Sequence, residues 1–214
     1  HQKKTRQKEQ RAVIETTHYI NELIQSNSDK IDFILGTSKG LGALTSTEKC
    51  HTYEIESSLT HTLTHQKTSQ EVWCVIYQPE TSLPEKITNM VLIDGLQNPS
   101  NVGAIIRSAA AFGVDYIGLL PQSADPFHPE SIRAMGGTLF AAKFGPVSMN
   151  QIPEKFGKSI FYELNSHKGA PVNTVIPDAS YILYIPSEMG GSNLKKRYPD
   201  LKFVPLHIPM SLEV

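Results

Sequence analysis

The sequence predicts an α/β protein whose larger part is a mainly parallel β-sheet with helices on both faces. From residue 88 onward, apolar runs of strand length alternate with segments of helical periodicity, the pattern of a parallel sheet. Shorter helices and strands alternate before it, and Gln78–Lys86, with two prolines among polar residues, separates the two parts. We therefore predict a small α/β domain over 1–80, a linker over 81–87 and a larger domain over 88–214.

The elements of the first domain are short. Apolar residues between Ala12 and Ile24 predict a helix, or a short strand that runs into one. Ile31–Leu35 and Val72–Tyr77 have the length and apolar character of strands, and Ser57–Leu63 is predicted as a second helix.

The second domain has a regular rhythm. The predicted strands are Met90–Ile93, Tyr116–Leu120, Ser159–Leu164, Tyr181–Ile185 and Phe203–Ile208, with an extended segment over Leu139–Val147. The predicted helices are Asn101–Phe112 and His128–Met135. Ligands of such sheets bind at the carboxyl ends of the strands, so the residues just after each strand are the candidates for a site.

Composition excludes several classes of protein. The sequence has no apolar run of the roughly 18 residues that would span a bilayer and no secretory leader, so we expect a cytoplasmic protein. Cys50 and Cys74 cannot build a disulfide framework and lack zinc spacing, and the histidines form no HExxH motif, so no metal is expected. A net charge of −1 argues against binding nucleic acid by bulk charge alone.

Positive charge is nevertheless concentrated in two places. One cluster consists of Lys3, Lys4, Arg6, Lys8 and Arg11, and the other of Lys195, Lys196 and Arg197. Either cluster could contact phosphates. A solvated helix face or a frayed terminus would explain each of them equally well.

The loop after the first strand of the second domain leads into a helix. Asn98–Asn101 has the residue types of a turn and a helix cap, because proline presets its dihedral angle and Asn or Ser oxygens accept amide hydrogens. The apolar stripe of this helix comprises Val102, Ile105, Ile106 and Ala109. Arg107 points about 140° away from the start of that stripe. It is a candidate for ligand contact, with a surface salt bridge as the alternative.

Two further strand ends carry candidate residues. In the segment after Pro186, Glu188 would place a carboxylate at the sheet edge. Gly190-Gly191, further along, would let the backbone come close to a ligand. Neither a Walker loop nor a GxGxxG fingerprint occurs. After the last strand, apolar residues could wall a ligand while a hydroxyl anchors it; these residues are Ile208, Met210, Leu212 and Ser211.

Together these loops resemble the SpoU (TrmH-like) family of RNA 2′-O-ribose methyltransferases, within the knotted SPOUT superfamily. The first motif is Asn98–Arg107 with Ala111-Phe112-Gly113, the second is Ser187–Gly191 and the third is Ile208–Leu212. Arg133–Phe140 is similar to the middle helix and strand of the family. The resemblance covers 88–214, and the first part, Gln2–Val72, resembles more loosely the small ribosomal-protein-like RNA-binding domain that often precedes it.

The resemblance implies a trefoil knot, a homodimer and S-adenosylmethionine as the methyl donor to a ribose 2′-OH of rRNA or tRNA. The implied catalytic residues are Asn101, Arg107, Glu188 and Ser211. The implied cofactor-binding residues are Pro186, Gly190, Gly191, Ile208, Met210 and Leu212. RNA would be bound by Lys3, Lys4, Arg6, Lys8 and Arg11.

The third motif departs from the family pattern. Ser211 follows Met210 directly, Glu213 stands where the family has Asn, and the final helix is lacking. We expect a loop and that helix to be missing from this chain, because an exposed apolar strand end would make a poor terminus. Two other interpretations stay open: a non-enzymatic RNA-binding member of the same fold, and a nucleotide-binding α/β enzyme in which Asn98–Arg107 is only a helix cap.

Overall fold

The computed structural model describes residues 2–63, 71–165, 168–175, 177, 180–187 and 193–208. The chain divides into two compact units. Unit 1 consists of His1–Pro79 with Asp125–Ala141, and unit 2 of Glu80–Ala124 with Ala142–Val214. The segment Asp125–Ala141, which sequence spacing assigned to the 88–214 domain, thus groups with unit 1.

The secondary structure alternates between helices and strands throughout. The α-helices are α1 (Lys3–Glu9), α2 (Thr17–Ser26), α3 (Ser38–Gly42), α4 (Thr60–Leu63), α5 (Pro99–Ala111), α6 (Pro129–Met135), α7 (Gln151–Phe156) and α8 (Asn193–Arg197). The strands are β1 (Arg11–Ile14), β2 (Ile31–Gly36), β3 (Thr52–Glu54), β4 (Val72–Tyr77), β5 (Asn89–Asp94), β6 (Tyr116–Leu119), β7 (Phe144–Pro146), β8 (Ile160–Asn165), β9 (Ala170–Pro171), β10 (Tyr181–Pro186) and β11 (Lys202–His207). Short 3₁₀ helices cover Ser28–Lys30, Ser57–Leu59, Gly136–Thr138 and Val172–Thr174.

Unit 1 contains a four-stranded sheet in the order β1-β4-β2-β3. β4 runs antiparallel to β1 and β2, and β3 is parallel to β2. One sheet face is core: Ala12, Ile14 and Ile34 are buried, together with Ile20 and Leu23 of α2. Of the two readings of the Ala12–Ile24 stretch, the strand that runs into a helix is the one observed.

Unit 2 contains a seven-stranded sheet in the order β7-β6-β5-β10-β8-β11-β9, and its strand pairs are all parallel. Met90–Asp94 of β5 are buried without a break. Successive strand residues point to opposite faces, so continuous burial means that both faces of this strand are covered. The predicted parallel α/β sheet is confirmed.

One predicted element is wrong in part. Leu139–Val147 is not extended throughout: residues 139–141 continue in a turn from the 3₁₀ helix Gly136–Thr138, and strand structure within the segment is limited to Phe144–Pro146. The Thr138 hydroxyl donates to the carbonyl of Met135 at 2.8 Å, which stabilises the turn. Apolar residues here fill a turn against the core, and a short apolar run looks the same in a turn and in a strand.

The helices found in the described part of the chain are all too short or too polar to cross a lipid bilayer.

A buried ion pair joins the first helix of unit 1 to the segment that returns to it. Nη2 of Arg6 lies 2.6 Å from Oδ2 of Asp125, and Nε of Arg6 lies 3.1 Å from the same oxygen. The two side chains are 7% and 10% exposed. Oδ1 of Asp125 also accepts from the N–H of Phe127 at 2.9 Å. The segment Asp125–Ala141 is therefore held to unit 1 by charge as well as by packing.

We expect Arg6→Met to destabilise unit 1 by about 3 kcal/mol, because the substitution leaves the Asp125 carboxylate buried without its counter-charge. Urea unfolding followed by tryptophan fluorescence measures the change, since Trp73 of β4 is the single tryptophan of the chain. Lys4→Met, on the exposed side of the same helix, is the matched control and should change stability by less than about 0.5 kcal/mol. Equal effects of the two substitutions would contradict a structural role for the pair.

Candidate functional site

The carboxyl edge of the unit 2 sheet is organised around Asp94, the last residue of β5 and fully buried. Its Oδ2 accepts hydrogen bonds from the Tyr184 hydroxyl of β10 and, at 3.0 Å, from the backbone N–H of Leu194 in α8. Its Oδ1 lies 3.4 Å from Nδ2, the side-chain nitrogen of Asn193. One carboxylate thus ties together two strands and the start of a helix. The sequence analysis missed it, although an Asp that ends an apolar strand is a readable signal.

The turn that leaves β5 is tightly built. Gly95 has a φ of +77°, in the left-handed region that favours glycine. Its N–H donates to the Ser123 hydroxyl at 3.1 Å, and that hydroxyl lies 3.3 Å from the carbonyl of Ile93. The backbone is therefore restrained immediately before the first candidate motif.

α5 starts with the predicted cap. Oδ1 of Asn98 accepts from the N–H of Ser100 at 2.9 Å and from that of Asn101 at 3.2 Å, and Pro99 occupies the first helical position. These bonds satisfy two of the amides that a helix N-terminus leaves without partners. The cap therefore fixes where the side chains of α5 begin.

The first turns of α5 line a cavity of about 250 Å³ at the carboxyl edge of the sheet. Asn101 lies on it, and so does Pro186, the last residue of β10. The remaining lining residues are Leu96, Ala104, Ile105 and Ile185. The structure thus brings together one predicted catalytic residue and one predicted cofactor-binding residue on a mostly apolar wall.

Arg107 lies on the exposed side of α5, six residues after Asn101 and so about 9 Å further along the helix axis. Within the described residues its guanidinium forms no ion pair and no hydrogen bond. The alternative of a surface salt bridge is therefore not realised there, and the charge is available to an anionic ligand.

The other predicted site residues are only partly described. Ile208, after the end of β11, is 40% exposed. Glu188, Gly190, Gly191, Met210, Ser211 and Leu212 lie outside the described residues. Among the residues that are described, no group of three or more His, Cys, Asp or Glu side chains could hold a metal ion.

The amino-terminal basic cluster separates into two kinds of residue. Lys3, Lys4 and Lys8 are exposed, whereas Arg6 is buried in its pair with Asp125. Arg11 is half-buried: its Nε lies 2.5 Å from Oδ2 of Asp32, and its guanidinium lies 5.1 Å from the centre of the Tyr77 ring. The hydrogen bond to Asp32 raises the pKa of Arg11, and the same bond lowers the pKa of Asp32.

The carboxyl-terminal basic cluster is engaged with its own unit. Nζ of Lys195 lies 3.0 Å from Oε2 of Glu163, which is 10% exposed, and 5.5 Å from the centre of the Phe203 ring. Arg197 donates to the side-chain oxygen of Asn150 at 3.1 Å. These contacts give the cluster a structural role in holding α8 against unit 2.

Comparison with known proteins extends these observations. Residues 88–191 match the family described as the SpoU rRNA Methylase family. The chain is 27% identical over 197 residues to the 23S rRNA (guanosine(2553)-2′-O)-methyltransferase RlmP of Bacillus subtilis, which covers 89% of this chain and 77% of that protein. A 60-residue stretch is 52% identical to the ribosomal RNA small subunit methyltransferase G 2 of Syntrophobacter fumaroxidans, but this chain spans only 12% of that relative's length.

A similar fold is found in a solved structure. The SpoU methyltransferase AviRb of Streptomyces viridochromogenes, in complex with the cofactor AdoMet, matches 100% of this chain with a TM-score of 0.75 and 20% identity; the match covers 86% of that chain. At this level of identity the likeness concerns the fold. It confirms the predicted α/β architecture over both parts of the chain.

We expect Asp94→Asn to lower the stability of unit 2 by about 2 kcal/mol, because the amide loses the charge that strengthens the bonds from Tyr184 and Leu194. Tyr184→Phe removes the bond from the Tyr184 hydroxyl to Asp94 but keeps the carboxylate, and it should cost about half as much. Thermal unfolding measures the loss, and hydrogen exchange at the Leu194 amide localises it. Asp200→Asn, at an exposed carboxylate of the same unit, is the control. Unchanged Leu194 exchange in Asp94→Asn would contradict the anchoring role.

Proposed function

We propose, from the match of residues 88–191 to the SpoU rRNA methylase family, that this chain is an S-adenosylmethionine-dependent RNA 2′-O-methyltransferase. The observation that carries the proposal is the start of α5, where a capped helix brings Asn101 to a cavity shared with Pro186 and leaves the Arg107 charge unpaired within the described residues. The names of the RNA-methylating relatives favour ribosomal RNA as the substrate.

The described residues fit the cofactor. The cavity lies at the carboxyl edge of a parallel sheet, where such folds bind their ligands, and Leu96, Ile185 and Pro186 give it an apolar wall. When bound there, S-adenosylmethionine supplies a methyl group activated by its sulfonium. We assign Pro186, Gly190, Gly191, Ile208, Met210 and Leu212 to holding it, of which Pro186 and Ile208 are described.

The reaction needs a ribose hydroxyl held in line with the transferred methyl group and a destination for its proton. Asn101, on the cavity, would orient the ribose, and Arg107 would hold the adjacent phosphate and stabilise the developing alkoxide. A guanidinium keeps its charge across the working pH range, so the proton passes to phosphate or water in this scheme. The family resemblance also allows Arg107 to take the proton itself. Glu188 is assigned to supporting the site, and Ser211 to anchoring its ligand.

RNA binding is assigned mainly to unit 1. Lys3, Lys4 and Lys8 are exposed on one short helix. Lys8 lies 3.6 Å from Oε1 of Glu9, but both side chains of that pair are exposed, so phosphates can approach without breaking a buried ion pair like that of Arg6. Arg11 keeps a partly exposed charge on the neighbouring strand. A homodimer and the trefoil knot belong to the same proposal, since both are implied by the family resemblance. A cytoplasmic location is proposed with them, from the lack of a membrane-length apolar run and of a secretory leader in this sequence.

We expect Arg107→Ala to reduce methyl transfer by at least about 100-fold, as removal of a group that stabilises developing charge does, while cofactor affinity stays within about twofold. Transfer of tritium from labelled S-adenosylmethionine to ribosomal RNA gives the rate, and calorimetry on the same preparation gives the affinity. Lys158→Ala, at an exposed position of unit 2, is the control. Near-normal turnover of Arg107→Ala would remove Arg107 from the mechanism. RNA binding by the wild type without cofactor binding would instead favour a non-enzymatic RNA-binding protein.

We expect neutralisation of α1 by Lys3→Gln, Lys4→Gln and Lys8→Gln together to weaken RNA binding and to flatten its salt dependence by about two in log–log slope, because three phosphate contacts release about that many counterions from a single strand. Cofactor affinity should not change. Titrations at several salt concentrations measure the slope. Lys155→Gln, Lys158→Gln and Lys202→Gln, all exposed in unit 2, form the control triple. The same slope in both triples would mean that α1 is only a solvated helix.

A further inference from the structure

We propose that a second cavity, lined by unit 1 and partly open to solvent, receives one unpaired guanine base of the RNA substrate. The inference rests on the proposed function and adds to it a base-reading site. The cavity measures about 440 Å³, which is within the range of pockets that bind small ligands. It is formed by the end of β1, by α2 with the residue that follows it, and by the chain from α6 to Phe140. Its lining residues are Ile14, Tyr19, Glu22, Leu23, Gln25, Ser26, Asn27, Ile132, Gly136, Gly137, Leu139 and Phe140.

The lining combines an apolar wall with two rings. Leu23, Ile132 and Leu139 are buried, whereas Tyr19 and Phe140 are half-buried and thus keep ring surface at the cavity. Proteins that recognise single-stranded RNA stack its splayed bases on such aromatic side chains. The hydrophobic floor with accessible rings therefore suits a flat heterocycle better than a flexible aliphatic ligand.

Glu22 is the one charged residue among the lining residues of the cavity, beside the neutral polar Gln25, Ser26 and Asn27. Its side chain is 49% exposed, with Oε1 3.3 Å from Nε2 of the more exposed His18, while Oε2 is the oxygen nearest to Gly137. The Tyr19 hydroxyl donates no hydrogen bond within the described residues. A carboxylate has only acceptor oxygens, so it selects a base edge that carries N–H donors. Guanine presents two adjacent donor groups, N1–H and the 2-amino group, on its pairing edge, and uracil presents one.

Two glycines hold the backbone against these polar groups. Gly136 has a φ of +60°, and a Cβ there would lie 2.8 Å from the Tyr19 hydroxyl. A Cβ at Gly137 would lie 3.1 Å from Oε2 of Glu22. Glycine has no side chain, so the backbone at these two positions can lie close to the Tyr19 hydroxyl and the Glu22 carboxylate. Both polar groups therefore line the cavity without a side chain in front of them. A larger residue at Gly137 would extend into that space.

The test uses the full chain and four fluorescein-labelled single-stranded RNAs of ten nucleotides. The background is polyuridine, and one central position carries uridine, adenosine, inosine or guanosine. We expect the guanosine RNA to bind about tenfold more tightly than the uridine RNA, and the inosine RNA, which lacks the 2-amino group, to fall between them. Fluorescence anisotropy gives the four affinities. Equal affinity of the wild type for the guanosine and uridine RNAs would overturn the proposal.

Substitutions of cavity residues test whether this cavity causes the preference for the guanosine RNA. Glu22→Gln keeps the shape but loses the charge, and we expect it to reduce the guanosine preference to less than twofold while the uridine RNA binds as before. Gly137→Leu fills the cavity and should have the same effect. Glu48→Gln, at an exposed carboxylate of the same unit, should keep the full preference. A preference that survives both cavity substitutions would place the guanine contact elsewhere and refute the site.

Binding of S-adenosylmethionine tests the proposed methyltransferase function independently of the base-reading cavity. S-adenosylmethionine should raise the melting temperature of the wild type and of Glu22→Gln equally, because a ligand stabilises the folded state that binds it. No shift in either protein would count against the methyltransferase, whereas normal shifts without a guanosine preference would refute only the base-reading cavity.

Discussion

The buried carboxylate of Asp94 is the constraint on which the candidate active site depends. A carboxylate removed from water must be satisfied by donors, and here those donors come from the Tyr184 hydroxyl and the backbone of α8. β5, β10 and α8 are distant in sequence but are held to one point at the carboxyl edge of the sheet. A neutral or smaller residue in place of Asp94 would loosen the attachment of α8 to the ends of β5 and β10, which stay paired along their length.

The cavity of unit 2 lies at the same carboxyl edge of the sheet, next to the ends of β5 and β10. β5 and β10 are parallel neighbours, so their ends deliver Leu96, Ile185 and Pro186 to the same side. Asn98 caps α5 and thereby sets the rotation of the helix, which turns Asn101 towards the cavity and Arg107 towards solvent. A preorganised edge, with the Arg107 cation close by and unpaired among the residues that the structure describes, is the arrangement that positions an anionic substrate without costly reorganisation.

Unit 1 uses its charges in a different way. Arg6 is placed on the buried side of α1 and binds Asp125, so one of the five cations in the basic segment serves the fold. The exposed lysines of the same helix remain for a ligand. Arg11 is intermediate in burial between Arg6 and the lysines, because it binds Asp32 and contacts Tyr77 but stays partly exposed. Chain composition cannot show this division, because burial depends on which side of the helix meets the returning segment Asp125–Ala141.

Local signals in the sequence determined much of this protein. Continuous apolar runs marked β2, β4, β5 and β10, and the residue types of Asn98–Asn101 marked the cap of α5, because strand burial and helix capping act over a few neighbouring residues. Short elements such as α3, β3 and β9 escaped prediction, since their pattern is too brief to carry a period. Only the tertiary structure decided that Asp94 anchors α8, that Arg6 is buried while Arg107 stays exposed, and that Tyr19 and Glu22 face a cavity beside two glycines. Each of these outcomes depends on contacts between segments far apart in the chain, and the residue types alone do not say which segments will meet.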